Sequence, residues 1–177
     1  MRISMLIIIV SVSLYSCKSE ITVKEPSSFR FEMNFIYPGT PEFVYEHLTG
    51  DISAWWDHSF SPNPQKIILE AKPGGAFLEI FDDSGDGALH ATVTYAKRGE
   101  MLRMEGPLGL SGTAITMVCT YTLSQSGSNS TNLKLNVTGS GELDEGTPEI
   151  VEEVWQHFLW EQFKPYIDRK HSEQNRP

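Results

Sequence analysis

Residues 146–171 read GTPEIVEEVWQHFLWEQFKPYIDRKH, and this stretch decides the fold. Val151, Val154, Trp155, Phe158, Leu159 and Phe163 recur at helical spacing and make one apolar stripe. Thr147 is placed to cap the helix, and Pro148 suits its first position because the missing N–H would be unpaired there anyway. Glu149 complements the positive end of the dipole, with acids early and bases late along the segment. Pro165 is expected to kink or end the helix, since it removes one backbone donor and crowds the carbonyl four residues back. A helix with so broad an apolar face has to be buried against another layer.

The preceding chain supplies that layer. Phe29, Phe31, Met33 and Phe35 alternate with Arg30, Glu32 and Asn34, the period of a strand with one buried face. It stops at a first copy of GTPE, residues 39–42, where Thr40 caps, Pro41 opens and Glu42 favours a short helix carrying Phe43, Val44, His47 and Leu48, with Gly50 at its end. The two copies of GTPE are therefore two helix starts rather than a repeat. Between them QKIILEAK, AFLEIFD, ALHATVTYA, MLRME, TAITMVCTYTLS and TNLKLNVTG are rich in β-branched and aromatic residues and separated by turn chemistry. With the first strand, seven strands are expected, mostly antiparallel because the connections are short. The C-terminal helix is the one element large enough to cover them, which makes the class α+β.

The 177 residues are 40% hydrophobic and 21% charged, as in one globular domain, and the formal net charge is −9. The longest basic runs are the pairs Lys97-Arg98 and Arg169-Lys170, so no nucleic-acid partner is expected. The N-terminus is set apart from the domain. Arg2 precedes an apolar run from Ile3 to Tyr15 that is too short to span a bilayer and fits the core of a secretory signal. LYSC, residues 14–17, resembles the lipobox of bacterial lipoproteins, with Tyr15 departing from the usual small or aliphatic residue. That resemblance implies a signal peptide over residues 1–16, a lipid on Cys17 as membrane anchor, and a place in the bacterial cell envelope, periplasmic or outer-membrane. An ordinary signal peptide or a short uncleaved anchor are the alternatives. Residues 17–28 form a polar tether, 29–170 the domain and 171–177 a tail. Cys119 lies in a strand-like run and is expected to be a small buried apolar group.

The order of one strand, a short helix, six strands and a long final helix resembles the helix-grip arrangement of the START-like (SRPBCC) superfamily. GTPEFVYEHLTGDISAWWD, with Trp55-Trp56, looks like the opening helix in the branch of bacterial homologues of the activator of the heat-shock chaperone ATPase. LEAKPGGAFLEI looks like that branch's Pro73-Gly74-Gly75 turn with Phe77, and VWQHFLWEQFKPYID is similar to its closing helix. The resemblance covers residues 29–168. It implies a curved seven-stranded antiparallel sheet wrapped around the C-terminal helix, with an apolar cavity between them. Members bind lipids, hormones or polyketides, some catalyse cyclisation, and some bind a chaperone. The export signal sets this chain apart from a cytosolic co-chaperone.

The expected ligand-binding residues are Trp55, Trp56, Phe77, Glu79, Met104, Met117, Cys119, Trp155 and Phe158, large aromatics and adaptable thioethers suited to a small hydrophobic ligand. Glu79 lies between Phe77 and Phe81 on one strand face. If that face lines the cavity, its carboxyl carries a raised pKa and is the candidate acid or base of a cyclase- or hydrolase-like enzyme; facing water, it does nothing special. An adaptor that presents its acidic surface to another envelope protein is a third possibility. His90 alternates with Thr92 and Thr94 and is expected to face solvent. His58 neighbours Asp57, but no second histidine falls at metal-ligand spacing, so neither metal nor cofactor is expected. DDSGDG, residues 82–87, lacks the Glu that an EF-hand loop needs and reads as a hairpin turn.

Overall fold

The computed structural model describes residues 21–176. The expected signal and Cys17 lie outside them. β1 (Ser27–Pro38) is followed by α1 (Pro41–Leu48), β2 (Gly50–Asp51), β3 (Lys66–Leu69), β4 (Ala76–Ile80), β5 (Gly87–Lys97) and β6 (Met101–Gly106). A single helical turn (Leu108–Leu110) leads to β7 (Ile115–Gln125) and β8 (Ser130–Gly141). The chain ends in α2 (Thr147–Gln156), a π-helical segment (His157–Phe163) and α3 (Lys164–Gln174).

All strands join one antiparallel sheet in the order β1-β8-β7-β6-β5-β4-β3-β2. After α1 the chain crosses to the far edge and walks back until β8 lies beside β1. Among the described residues there are eight strands rather than seven: Gly50–Asp51 pairs with β3 as a two-residue edge, too short to carry any alternation in sequence. The fold is α+β, an antiparallel sheet with a long C-terminal helical element, consistent with a helix-grip arrangement.

Strict alternation buries Ile115, Met117, Cys119, Tyr121 and Leu123 of β7 against Leu133, Leu135 and Val137 of β8. Over them lie Val151, Trp155, Phe158, Leu159, Phe163 and Ile167 of the helical element. Each such side chain contributes about 1.5–3 kcal/mol when fully buried. The Phe163 ring meets the Tyr37 ring edge-on at 5.1 Å, and the Tyr37 hydroxyl donates to the Leu159 carbonyl at 2.7 Å, which bonds β1 to the π-helical segment. The core closes within the described residues, so a chain beginning at Ile21 carries it whole. Lys24 of the tether docks back on the domain, its Nζ 2.6 Å from Asp144.

Thr40 caps α1 as expected, its hydroxyl accepting from the Phe43 N–H at 3.3 Å. At the second GTPE the capping is different. Gly146, in the left-handed region at φ 83°, is the N-cap, Thr147 is already helical, and no side chain caps the end. Pro165 does not end the helix, which runs on to Gln174 through most of the expected tail. The wider π turn ahead of Pro165 relieves the clash of its ring with the preceding carbonyl, so the chain stays helical.

β5 holds the main departure from simple alternation. Phe77 of β4 faces Ala91 while the next residue, Leu78, faces Leu89, so His90 is an extra, unpaired residue. This β-bulge turns His90 inward and leaves Leu89 54% exposed, the reverse of the expected facing. A second irregularity at Thr94 likewise leaves Tyr95 exposed. Gly106 makes the first bulge possible: a Cβ there would lie 2.5 Å from the His90 carbonyl oxygen and 2.6 Å from Ala91 Cα. Gly106→Ala is expected to destabilise by about 1–3 kcal/mol, because backbone must move to admit the methyl. Urea unfolding checks this, and an unchanged midpoint would show that the bulge does not need the glycine.

Candidate functional site

Three segments, one of them the helical element, and the inner sheet face border a partly open cavity of about 350 Å³. Trp56, His58, Ser59 and Phe60 come from the connection between β2 and β3; Leu108, Gly109 and Leu110 from the turn after β6; Ile150, Val151, Val154, Trp155 and Phe158 from the helix. Phe77, His90 and Met117 form the sheet side. The volume lies within the range of about 300–1,000 Å³ typical of small-molecule sites. Exposed Ile150 and Phe60 stand at the rim. Leu108 adopts φ 52°, a left-handed conformation costly for a branched side chain, yet it is buried in the wall.

The β2–β3 connection is held over the cavity by a small set of bonds. The Ile67 N–H donates to Ser53 Oγ at 2.9 Å, and Trp56 N–H to the Ile52 carbonyl at 3.0 Å. Trp56 then stacks on Phe158 with centroids 3.6 Å apart, tying the connection to the helix. Its far end is fixed by Glu79. Oε2 accepts the Phe60 N–H at 3.0 Å and Oε1 the Ser61 N–H at 2.9 Å. His90 Nε2 lies 3.2 Å from Oε2, and in the tautomer with its N–H on Nε2 the imidazole gives Glu79 a third hydrogen bond. Phe60 closes the arrangement by stacking on the imidazole at 5.3 Å, nearly parallel.

Glu79 is fully buried and does not line the cavity: its carboxylate is committed to two backbone donors and one imidazole. His90 is the group that reaches the space. Among the described residues its Nδ1 has no hydrogen-bond partner, and it is the acceptor left when Nε2 is protonated. The cavity is thus an apolar chamber with one polar point on its sheet side.

Of the expected ligand-binding residues, Trp56, Phe77, Met117, Trp155 and Phe158 line the cavity, whereas Trp55, Met104, Cys119 and Glu79 do not. Trp55 is core, its ring 4.9 Å from that of Phe163 and its Nε1 donating to the His47 carbonyl. Met104 and Cys119 face one another across β6 and β7, deep in the core. Trp160 points outward, half exposed, against Phe35. Burial pushes the Cys119 thiol well above its ordinary pKa. In a chain of residues 21–177, where it is the one cysteine, Cys119 is therefore expected to ignore a thiol reagent such as dithionitrobenzoate until urea unfolds the domain. Rapid labelling of the native form would contradict its place in the core.

Sequence spacing also gave no hint of a cluster at the helix edge of the cavity. Asp57 Oδ1 lies 2.8 Å from His58 Nδ1, and Asp57 Oδ2 lies 2.8 Å from His157 Nε2, a residue 100 positions away. His157 Nδ1 in turn meets Glu161 Oε2 at 2.9 Å. Burial opposes ionisation of Asp57, but the hydrogen bonds from His58 and His157 outweigh it and hold the carboxyl below its usual range. The Glu161 bond is the main influence raising His157, burial opposes it, and the Asp57 bond adds to the rise. The sequence reading considered local spacing only, and the fold brings His157 from the π-helical segment to the Asp57–His58 pair.

No protein-family model matches the chain, and no curated protein does. Solved structures do resemble it. A protein from Chromobacterium violaceum aligns with a TM-score of 0.53 at 20% identity, over 78% of this chain and 96% of its own. An uncharacterised protein from Rhizobium leguminosarum gives 0.59 at 10% identity, over 84% and 99%. Ara h 8.0201 gives 0.57 at 16% identity, over 80% and 98%. At such identities the likeness is one of fold alone, and the fold is shared with proteins from several bacteria.

Proposed function

We propose that this chain is a START-like, helix-grip binding protein, similar to the bacterial homologues of the chaperone-ATPase activator, that holds one small apolar or amphipathic molecule between sheet and helix. The cavity of about 350 Å³, apolar except for His58, Ser59 and His90, carries this proposal. The apolar part of a ligand fills the space between Met117, Trp155 and Phe158, and a ligand hydroxyl or amine donates to His90 Nδ1. Glu79 fixes the imidazole and the β2–β3 connection, so the polar contact is preorganised. We place the protein in the bacterial cell envelope, exported and anchored through Cys17, on the LYSC sequence.

The test is equilibrium binding of 1-anilinonaphthalene-8-sulfonate to residues 21–177, competed by a medium-chain fatty alcohol. Saturable binding at one site, displaced by the alcohol, is the expected result. Failure of both compounds to bind would reject the proposal.

The Glu79–His90 pair also favours a second reading, in which His90 Nδ1 takes a proton from a bound substrate and Glu79 orients the ring. His90→Gln separates the two. It retains dye binding in either case, but abolishes turnover of a candidate cyclisation or hydrolysis substrate only if the base is required.

A further inference from the structure

The geometry points to a divalent transition-metal site at Asp57, His58 and His157, on the rim of the apolar cavity, suited to Zn²⁺. One donor atom from each of the three residues lies within 4.8 Å of the others. Two imidazole nitrogens and a carboxylate oxygen suit zinc and its first-row neighbours, where calcium and magnesium prefer oxygen alone.

The surroundings of His157 supply a second observation. Its Nδ1 is bonded to Glu161 Oε2 at 2.9 Å, which leaves Nε2 directed at Asp57 and His58. A carboxylate behind a histidine, fixing the ring and its tautomer, is the usual support of a metal-ligating imidazole. His157 also opens the π-helical segment, a local widening found often where helices carry function. The core-covering residues of that segment are Phe158, Leu159 and Phe163, and His157 is not among the buried residues.

Donors bound at about 2.0–2.1 Å around a tetrahedral ion sit about 3.3 Å apart. Asp57 Oδ1 lies 2.8 Å from His58 Nδ1 and 3.0 Å from His157 Nε2 and has to retreat by a few tenths of an ångström, while the two histidine nitrogens, within 4.8 Å of each other, have to settle at the same spacing. Asp57 and His58 stand on an irregular connection that can give this. The ion takes the place of the proton between Asp57 and His157 Nε2, and that proton passes to solvent. Three protein ligands leave the fourth position open, and because His58 lines the cavity, that position lies at its edge.

The test uses the full chain in detergent micelles, stripped with a chelator and titrated with Zn²⁺ and, separately, Co²⁺. One Zn²⁺ per chain is expected, with affinity at least tenfold weaker in His58→Ala and in Asp57→Asn and unchanged in the control His171→Ala. The Co²⁺ form should show visible bands of low coordination that disappear in His58→Ala. His58 is exposed, and circular dichroism reports whether each variant is folded. Equal Zn²⁺ affinity in wild type and His58→Ala, or wild-type binding no tighter than millimolar, would show that these residues form only an ion-pair network joining connection to helix.

Discussion

Glu79→Ala is expected to lower stability by about 3–5 kcal/mol, the cost of removing one partner from a buried polar cluster. The substitution leaves His90 Nε2 and the Phe60 and Ser61 N–H groups without their acceptor, and empties the space the side chain filled. Glu79→Gln keeps the volume and one acceptor oxygen, but turns an amide N–H₂ toward a donor. Its cost should be about 1–3 kcal/mol. Urea unfolding of residues 21–177 measures both. The order Ala worse than Gln worse than wild type follows from a carboxylate that anchors the β2–β3 connection. A free cavity carboxylate, one of the two readings that the sequence left open for Glu79, predicts instead that Gln is neutral or stabilising.

Val154→Trp should abolish ligand binding while leaving the fold intact. Val154 is half buried on the cavity side of α2, and the larger ring enters space now open, which spares it much of the usual cost of overpacking. Affinity for 1-anilinonaphthalene-8-sulfonate is expected to fall at least tenfold, about 1.4 kcal/mol. Ile36→Trp is the control, since Ile36 is 51% exposed on β1 and does not line the cavity. Equal loss in both variants would mean that the dye binds exposed apolar surface.

How far the sequence carried these conclusions differs by element. β7 and β8 were legible as strands, and Cys119 as a buried residue, because uninterrupted period-two burial is what a one-sided antiparallel sheet imposes. The first GTPE was legible because its cap is local, a Thr40 hydroxyl three residues from the N–H it accepts. His90 was misplaced for the opposite reason. A bulge shifts the phase of everything on one side of it, and the residue that permits this one, Gly106, sits on the neighbouring strand. The commitment of Glu79 was hidden in the same way, since its donors are backbone N–H groups of an irregular connection about twenty residues upstream. The Asp57–His157 contact spans 100 residues and needs the helix laid across the sheet before it exists. Composition and periodicity reveal which faces are apolar; they do not reveal where a chamber is left between them.

The central claim is that this chamber accepts an apolar molecule, and Met117 is its internal reporter. With residues 21–177 labelled at the methionine methyl carbons, titration with 1-anilinonaphthalene-8-sulfonate should move the Met117 resonance saturably, while Met101 and Met33, which do not line the cavity, stay in place. A Met117 signal unmoved at saturating dye, or movement confined to Met33 or Met101, would contradict a ligand site between sheet and helix.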